Sequence, residues 1–387
     1  MTFTTADLAV LYQAIPPPTI GGVRKPMKPG GYSDSGADIA YVLRAAGVKV
    51  ITPAAIPALD RDLDWVFPDH AAGIVAARAA GANVLWANTI LFRGHPLETE
   101  AGAAAIVGQP PALVDRFDDK WVTNSLLRAR GCPVAESVLI SAVHRLEPSG
   151  PTGSIALRSG TLQAFRARSA DEHSFNLSEA NLAKAGLRFP LIVKPVRGRG
   201  SEGVQLVGSL PQLISAGQKL LSEHGQTFIL EEYLSGDEIT VTVMPPGVYA
   251  IAGAEVSQVD YWTLPPVLRF NHRDGIAPYS GVVRVVDNSR VLTAHTSAAP
   301  AVEAVLAACV RAAEAIGPKA PIRIDCRQAP NGEFRLFDLN LKPNMTGPGR
   351  PGRENQDSLT GLAARAIGWS YPDLLQNMLR QARTESR

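Results

Sequence analysis

The segment that most constrains this chain is "FPLIVKPVRGRGSEGVQLV", residues 189–207. Leu191, Ile192 and Val193 form an apolar run of strand length, with Lys194 at its end and Pro195 closing it. Gly198, Gly200 and Gly203 then alternate with Arg197, Arg199, Ser201 and Glu202 before Val204–Val207 regains strand character. The pattern predicts a strand, a glycine-rich turn and a second strand, with a lysine at the entry. Glycines let backbone N–H groups approach a ligand closely. Cations beside such groups suit an anion, most often phosphate. The Walker pattern places its lysine after the loop, and the dinucleotide fingerprint needs a helix after its glycines, so neither fits. Taken alone, the segment reads more economically as a hairpin with a glycine-rich tip.

The rest of the chain supplies context. At 387 residues and 45% hydrophobic, it has length and apolar content for two or three domains. A net charge of +2 without a basic block gives no electrostatic sign of a nucleic-acid partner. Cys132, Cys309 and Cys326 are few and far apart, as expected of reduced thiols in a cytoplasm. No signal peptide is expected at the N-terminus, and no apolar stretch reaches membrane-spanning length. Strand-like "DLAVLYQA", "VKVI" and "NVLWAN" alternate with helical "GADIAYVLRAAG" and "DHAAGIVAARAAG". This predicts a parallel α/β unit, with "EAGAAAIVG" as its closing helix. A second unit begins at the helix start "DDKWVTNSLLRARG", and residues 140–180 read as a short strand and loops. A third carries strands "EITVTVM" and "YAIAGAEV", a polar stretch at 257–281, a long alanine-rich helix, two late strands and two terminal helices.

Those late strands, "IRIDCRQ" and "FRLFDLNLK", turn the loop into a candidate site. Alternation places Asp338 and Asn340 on one face, and the turn "APNGE" brings Asp325 opposite them. Three oxygen donors on one face suit Mg²⁺ completed by substrate phosphates. Solvated strand ends are the plainer reading of "DLN" by itself, but Asp325 at hairpin distance favours the metal. In "TFILEEYLSGDEITVTV", Glu231 to Leu234 form a joint between strands against which an adenine can pack. Glu238 there can accept ribose hydroxyls; a simple strand connection with solvated acids is the alternative.

The order Lys120 in "DDK", Lys194, "EEYLSGDE", "RID" and "DLN" resembles the ATP-grasp superfamily, and within it the D-alanine–D-alanine ligase-like carboxylate–amine ligases. The resemblance runs from about residue 115 to the C-terminus. It implies an α/β ATP-grasp fold: a Rossmann-like α/β domain over 1–115, a central lobe with the phosphate loop over 116–232, and a C-terminal lobe with the metal site over 233–387. The two lobes would sandwich ATP. By this resemblance Lys120 and Lys194 contact phosphates, and Gly200, Ser201, Glu202 and Gly203 cover them. Glu231, Glu232, Tyr233 and Leu234 meet adenine, and Glu238 the ribose. Asp325, Asp338 and Asn340 hold two Mg²⁺ ions, or Mn²⁺ in their place. Arg323 steadies the acyl-phosphate, and Arg269 reaches the transferred phosphate.

The chain departs from the family where substrates bind. Asp338 stands for a usual glutamate and Gly200 for a loop serine, and no N-terminal glutamate matches around "GGYSDSG". "GPGRPGRENQD" is inserted after "NMT". His272, Tyr279, Asn344, Arg350 and Arg353 are the candidate substrate residues, the arginines suiting bidentate grip of a carboxylate. The expected activity is ATP-dependent C–N ligation through an acyl-phosphate, with a small-molecule carboxylate and an amine as partners and a product other than D-alanyl-D-alanine. Neither nucleic acid nor membrane is expected as a partner, and a cytoplasmic homodimer fits the family. An ATP-grasp phosphotransferase and a non-catalytic ATP-binding module are the alternatives. A dinucleotide-dependent oxidoreductase lacks its fingerprint after the first strand.

Overall fold

A computed structural model describes residues 6–20, 23–24, 27–141, 163–165, 177–198, 203–224, 227–272 and 284–384. The first unit is a parallel sheet. Strand β1 (Asp7–Tyr12) is central, followed by α1 (Ser33–Ala45), β2 (Lys49–Val50), β3 (Phe67–Pro68), α2 (Ala71–Ala79), β4 (Val84–Asn88) and β5 (Ala105–Val107). The order is β2-β1-β4-β5, with β3 pairing the end of β1. Leu8, Ala9, Val10 and Leu11 are wholly buried, as expected of a strand covered on both faces. The expected helix over "EAGAAAIVG" is absent: a helical turn, Leu97–Glu100, ends at its first residue, and β5 occupies its second half. Alanine content favours a helix locally, but Ile106 and Val107 are buried in parallel register with Leu85 and Trp86, and that pairing wins.

The second unit opens with α3 (Lys120–Ala129), whose N-cap Asp119 accepts from the Val122 N–H. Its strands are β6 (Ser137–Ser141), β7 (Gln163–Phe165), β8 (Leu191–Pro195), β9 (Gln205–Val207) and, after α4 (Leu210–His224), β10 (Thr227–Glu232). They form an antiparallel sheet ordered β9-β8-β10-β6-β7. The strand–turn–strand expected at 189–207 is present as the β8–β9 pair, with Leu191 opposite Val207 and Val193 opposite Gln205.

The third unit is also antiparallel. It contains β11 (Glu238–Met244), β12 (Trp262–Thr263), β13 (Val267–Arg269), β14 (Ser289–Val291), α5 (Pro300–Ile316), β15 (Ile322–Gln328) and β16 (Phe334–Asn340), then α6 (Leu359–Arg365) and α7 (Tyr371–Leu379). Sheet order is β14-β13-β11-β15-β16, with β12 on β11. "YAIAGAEV" is two strands rather than one. Ala252 and Gly253, both at positive φ, turn Gly247–Ile251 back onto Ala254–Gln258.

The apolar clusters show how the units are joined. Ile106 and Leu127 share one cluster with Ile239, Cys309 and Ile324, and Trp86 shares another with Leu264, Met345 and Leu375. The first and third units are thus built around common cores. The central sheet packs on its own cluster, including Val138, Leu213 and Phe228. A small patch of Ala135, Leu234, Ala329 and Phe337 lies where the central sheet meets β16. Among the described residues no helix is long and apolar enough to cross a membrane.

Candidate active site

The site is built where β8 and β10 of the central sheet face β15 and β16. Asp325 and Asp338 are direct partners across the β15–β16 hairpin, as the strand alternation anticipated, and Arg323 is opposite Asn340. The register shifts after Asp325, because Cys326 pairs with Leu336 and leaves Phe337 as an extra residue. The carbonyl of Phe337 accepts a hydrogen bond from Lys194 Nζ at 3.0 Å. A second bond from Lys194 Nζ reaches Glu231 Oε1 at 2.7 Å, with both side chains buried. Lys120 Nζ, at the start of α3, donates to Asp338 Oδ1 at 2.5 Å. Two lysines of the central unit therefore converge on the strand that carries Asp338 and Asn340.

The carboxylates differ in environment. Asp325 is buried; its oxygens accept from Arg323 Nε and Nη2 at 3.1 and 3.0 Å and from Thr240 Oγ1 at 2.8 Å. Burial pushes its carboxyl above the usual range, against the pull of Arg323. Burial likewise raises Glu231, despite Lys194. At Asp338 burial also acts upward, but Lys120 and Lys194 outweigh it and hold the group below its ordinary value. The Asp338 side chain retains 27% exposure, so it is an ionised carboxylate within reach of a ligand. A depressed carboxyl stabilises the fold above its unfolded value and loses that contribution as pH falls through the folded value. We therefore expect the urea midpoint of Asp338→Asn to lie below wild type at neutral pH and the gap to narrow as pH falls from about 3.9 through the lower folded value. A gap independent of pH would contradict this.

The other expected residues are placed as follows. Glu238 and Arg269 are paired in register across β11 and β13, both buried, and His272 Nε2 lies 3.1 Å from Glu238 Oε2. Leu234 belongs to the apolar patch beside Phe337. Tyr233 lies under the Arg327 guanidinium, and Glu232 accepts from Arg335 Nη1 across the lobes. Glu231 is buried on β10. Its carboxylate is turned onto Lys194, and β10 is flanked by strands on both sides. Gly203 has φ +72 just before β9, whereas Gly200, Ser201, Glu202 and Tyr279 lie outside the described residues. Asn344 is exposed, and its Oδ1 accepts from the N–H and Oγ1 of Thr346.

Arg350 requires a correction. It was expected to grip substrate, but it is 1% exposed and bound within the frame. Its guanidinium donates to Asp38 Oδ1 and Asp62 Oδ1 at 2.9 and 2.7 Å and to the carbonyls of Leu59 and Asp34. Arg353 Nε donates to the other Asp38 oxygen at 2.6 Å and Nη2 to Asp34 at 3.3 Å, with about a quarter of its side chain exposed. The inserted loop thus clamps the third unit to α1. Gly349 makes this approach feasible, because a Cβ there would stand 2.3 Å from the Asp38 carboxyl carbon.

Sequence reading missed a second polar group on the other side of Asn340. The Lys342 N–H donates to Asn340 Oδ1 at 2.9 Å, and Lys342 Nζ reaches Asn88 Oδ1 at 3.4 Å and the Tyr32 ring at 3.7 Å. Asn88 and Tyr32 are distant from Lys342 in sequence, so no local motif announces them.

The family described as D-ala D-ala ligase C-terminus matches residues 160–380, more than half of the 387-residue chain. The chain belongs to this family. The D-alanine–D-alanine ligase of Stutzerimonas stutzeri (strain A1501) is 28% identical over 209 residues, 54% of this chain and 58% of that protein. The chain spans a little over half the length of the curated relatives it matches. The crystal structure of D-alanine–D-alanine ligase from Bacillus anthracis complexed with ATP superposes with a TM-score of 0.58 at 17% identity, covering 97% of this chain and 98% of that one. VanG D-Ala:D-Ser ligase from Enterococcus faecalis gives a TM-score of 0.58 at 14% identity with the same coverage. At these identities the likeness is one of fold, and the fold of this D-ala D-ala ligase C-terminus family member is ATP-grasp.

Proposed function

We propose that the chain is an ATP-dependent carboxylate–amine ligase. The observation that carries this is the meeting of Lys120 and Lys194 from the central unit with the Asp325–Asp338 pair of the third. Cations and carboxylates from facing sheets are what a nucleotide triphosphate between the lobes requires. The patch of Leu234, Ala135, Ala329 and Phe337 supplies an apolar face for the base.

Among the described residues no three His, Cys, Asp or Glu side chains converge to hold a metal unaided. Two carboxylates and an amide nonetheless fit Mg²⁺, which takes oxygen donors and leaves positions for phosphate. Asp338 is ionised and accessible, and Lys120 and Arg323 are the cations on the two carboxylates in this structure. Asp325, Asp338 and Asn340 would hold the metal, which when bound would offset phosphate charge.

In the proposed reaction, a substrate carboxylate oxygen attacks the γ-phosphorus of ATP, and ADP leaves with the bridging oxygen. The amine nitrogen then attacks the acyl carbon, loses a proton, and phosphate departs. Lys120 and Lys194 bring positive charge to the phosphates. Arg323, fixed by its two bonds to Asp325, presents a preorganised guanidinium to charge developing on the acyl group. Support for this chemistry comes from the curated relatives, which carry the name D-alanine–D-alanine ligase.

The test is phosphate release by purified protein with Mg²⁺ and ATP against paired acids and amines, D-alanine first. Release that needs both partners, with an amide product, is expected. A stable phosphorylated product formed without any amine would replace the ligase with a phosphotransferase. ATP binding without turnover of any acid would leave a binding module.

A further inference from the structure

The crevice around Lys342 lies where open parallel sheets bind ligands. In such sheets the site is outside the carboxyl ends of the strands, where the chain order reverses. Here the chain leaves β1 for β2 on one side and returns to β4 on the other, so the reversal lies between β1 and β4. Asn88 is the last residue of β4. Its Nδ2 donates to the Tyr32 carbonyl at 2.9 Å and to Ser35 Oγ at 3.1 Å, which aims Oδ1 at Lys342. Tyr32 is held at φ +65, a conformation uncommon outside glycine, and its ring receives two ammonium groups, Lys342 at 3.7 Å and Lys28 at 5.0 Å. Asn88 and Lys342 also border a cavity at the carboxyl ends of β4 and β5, lined with them by Trp86, Val107, Gln109 and Met345.

We propose that Lys342 is a specificity-determining residue that receives a second, unactivated carboxylate of the acid substrate. This rests on the ligase reading, because it needs the other carboxylate to be activated beside Lys194 and Asp338. The geometry supplies two cationic zones joined by a short link. Lys120, Lys194 and Arg323 serve the nucleotide side. Lys342 stands on the first unit's side of Asn340, tied to it by the backbone bond to Asn340 Oδ1. A lysine on a flexible stem suits a carboxylate as a point charge, and the aromatic and amide partners hold it there. A dicarboxylic acid places one carboxylate in each zone.

The experiment is calorimetric titration of the full chain, saturated with ADP, using succinate and D-aspartate against their monocarboxylate counterparts butyrate and D-alanine. Wild type should bind the dicarboxylates about tenfold more tightly, or better, the yield of one charge-assisted contact. Lys342→Met, which keeps the stem and removes the charge, should erase that preference without changing ADP affinity, and Lys342→Arg should retain part of it. Asn88→Asp, which places a carboxylate against Lys342, should also weaken dicarboxylate binding and stands in if Lys342→Met folds poorly. Equal affinities of the paired acids for wild type, or a preference that persists in Lys342→Met, would overturn the proposal. The ligase reading fails separately, through absence of acid-dependent phosphate release while the dicarboxylate preference remains.

Discussion

Lys194→Ala is expected to abolish ATP turnover and to destabilise the protein by about 3–5 kcal/mol, the usual result of removing one partner of a buried ion pair. The two effects have separate causes. Stability falls because Glu231 would remain buried without its cation, and its Oε2 already makes no hydrogen bond. The bond that joins β8 to the Phe337 carbonyl on β16 is lost as well. Turnover falls because the proposed phosphate contact disappears. Adding Glu231→Gln removes the stranded charge, so the double variant should recover much of the stability and none of the turnover. Urea unfolding and phosphate release, measured on the same preparations, separate the outcomes. Recovery of both would make Lys194 a structural residue and remove it from the nucleotide site.

Local signals carried much of this fold. The β-branched runs around 191–193 and 239–243 became strands because they are buried on paired sheets, and α5 ends where Gly317 takes a left-handed conformation. The hairpin facing of Asp325 and Asp338 was legible for the same reason: alternation and a turn define it within one stretch of chain. Non-local partners were not legible. Nothing near Arg350 announces Asp38, which lies 312 residues away on a helix of another unit. Lys342 and Asn88 are likewise separated by 254 residues. The buried ion pair of Lys194 with Glu231, 37 residues apart, was not legible either. An alanine-rich segment such as "EAGAAAIVG" has little intrinsic commitment, so sheet pairing at β5 decides it.

Arg350→Ala should therefore be a stability variant. Its guanidinium is wholly enclosed, and its removal strands Asp38, which is fully buried, with one oxygen still on Arg353. The expected loss is about 3–5 kcal/mol, read as a lowered urea midpoint. Arg353→Ala should cost less, because its side chain is partly exposed and Arg350 still covers Asp38. Arg350→Lys keeps the charge but cannot span Asp38, Asp62 and two carbonyls with one ammonium, so it should recover only part of the loss. The clamp also fixes the loop just beyond Lys342 against α1, the helix that follows Tyr32. Loosening it should then raise the KM of the organic acid more than that of ATP, as a consequence of displaced elements rather than a lost contact. An Arg350→Ala protein as stable as wild type, with a raised KM for one organic substrate alone, would return Arg350 to the substrate site.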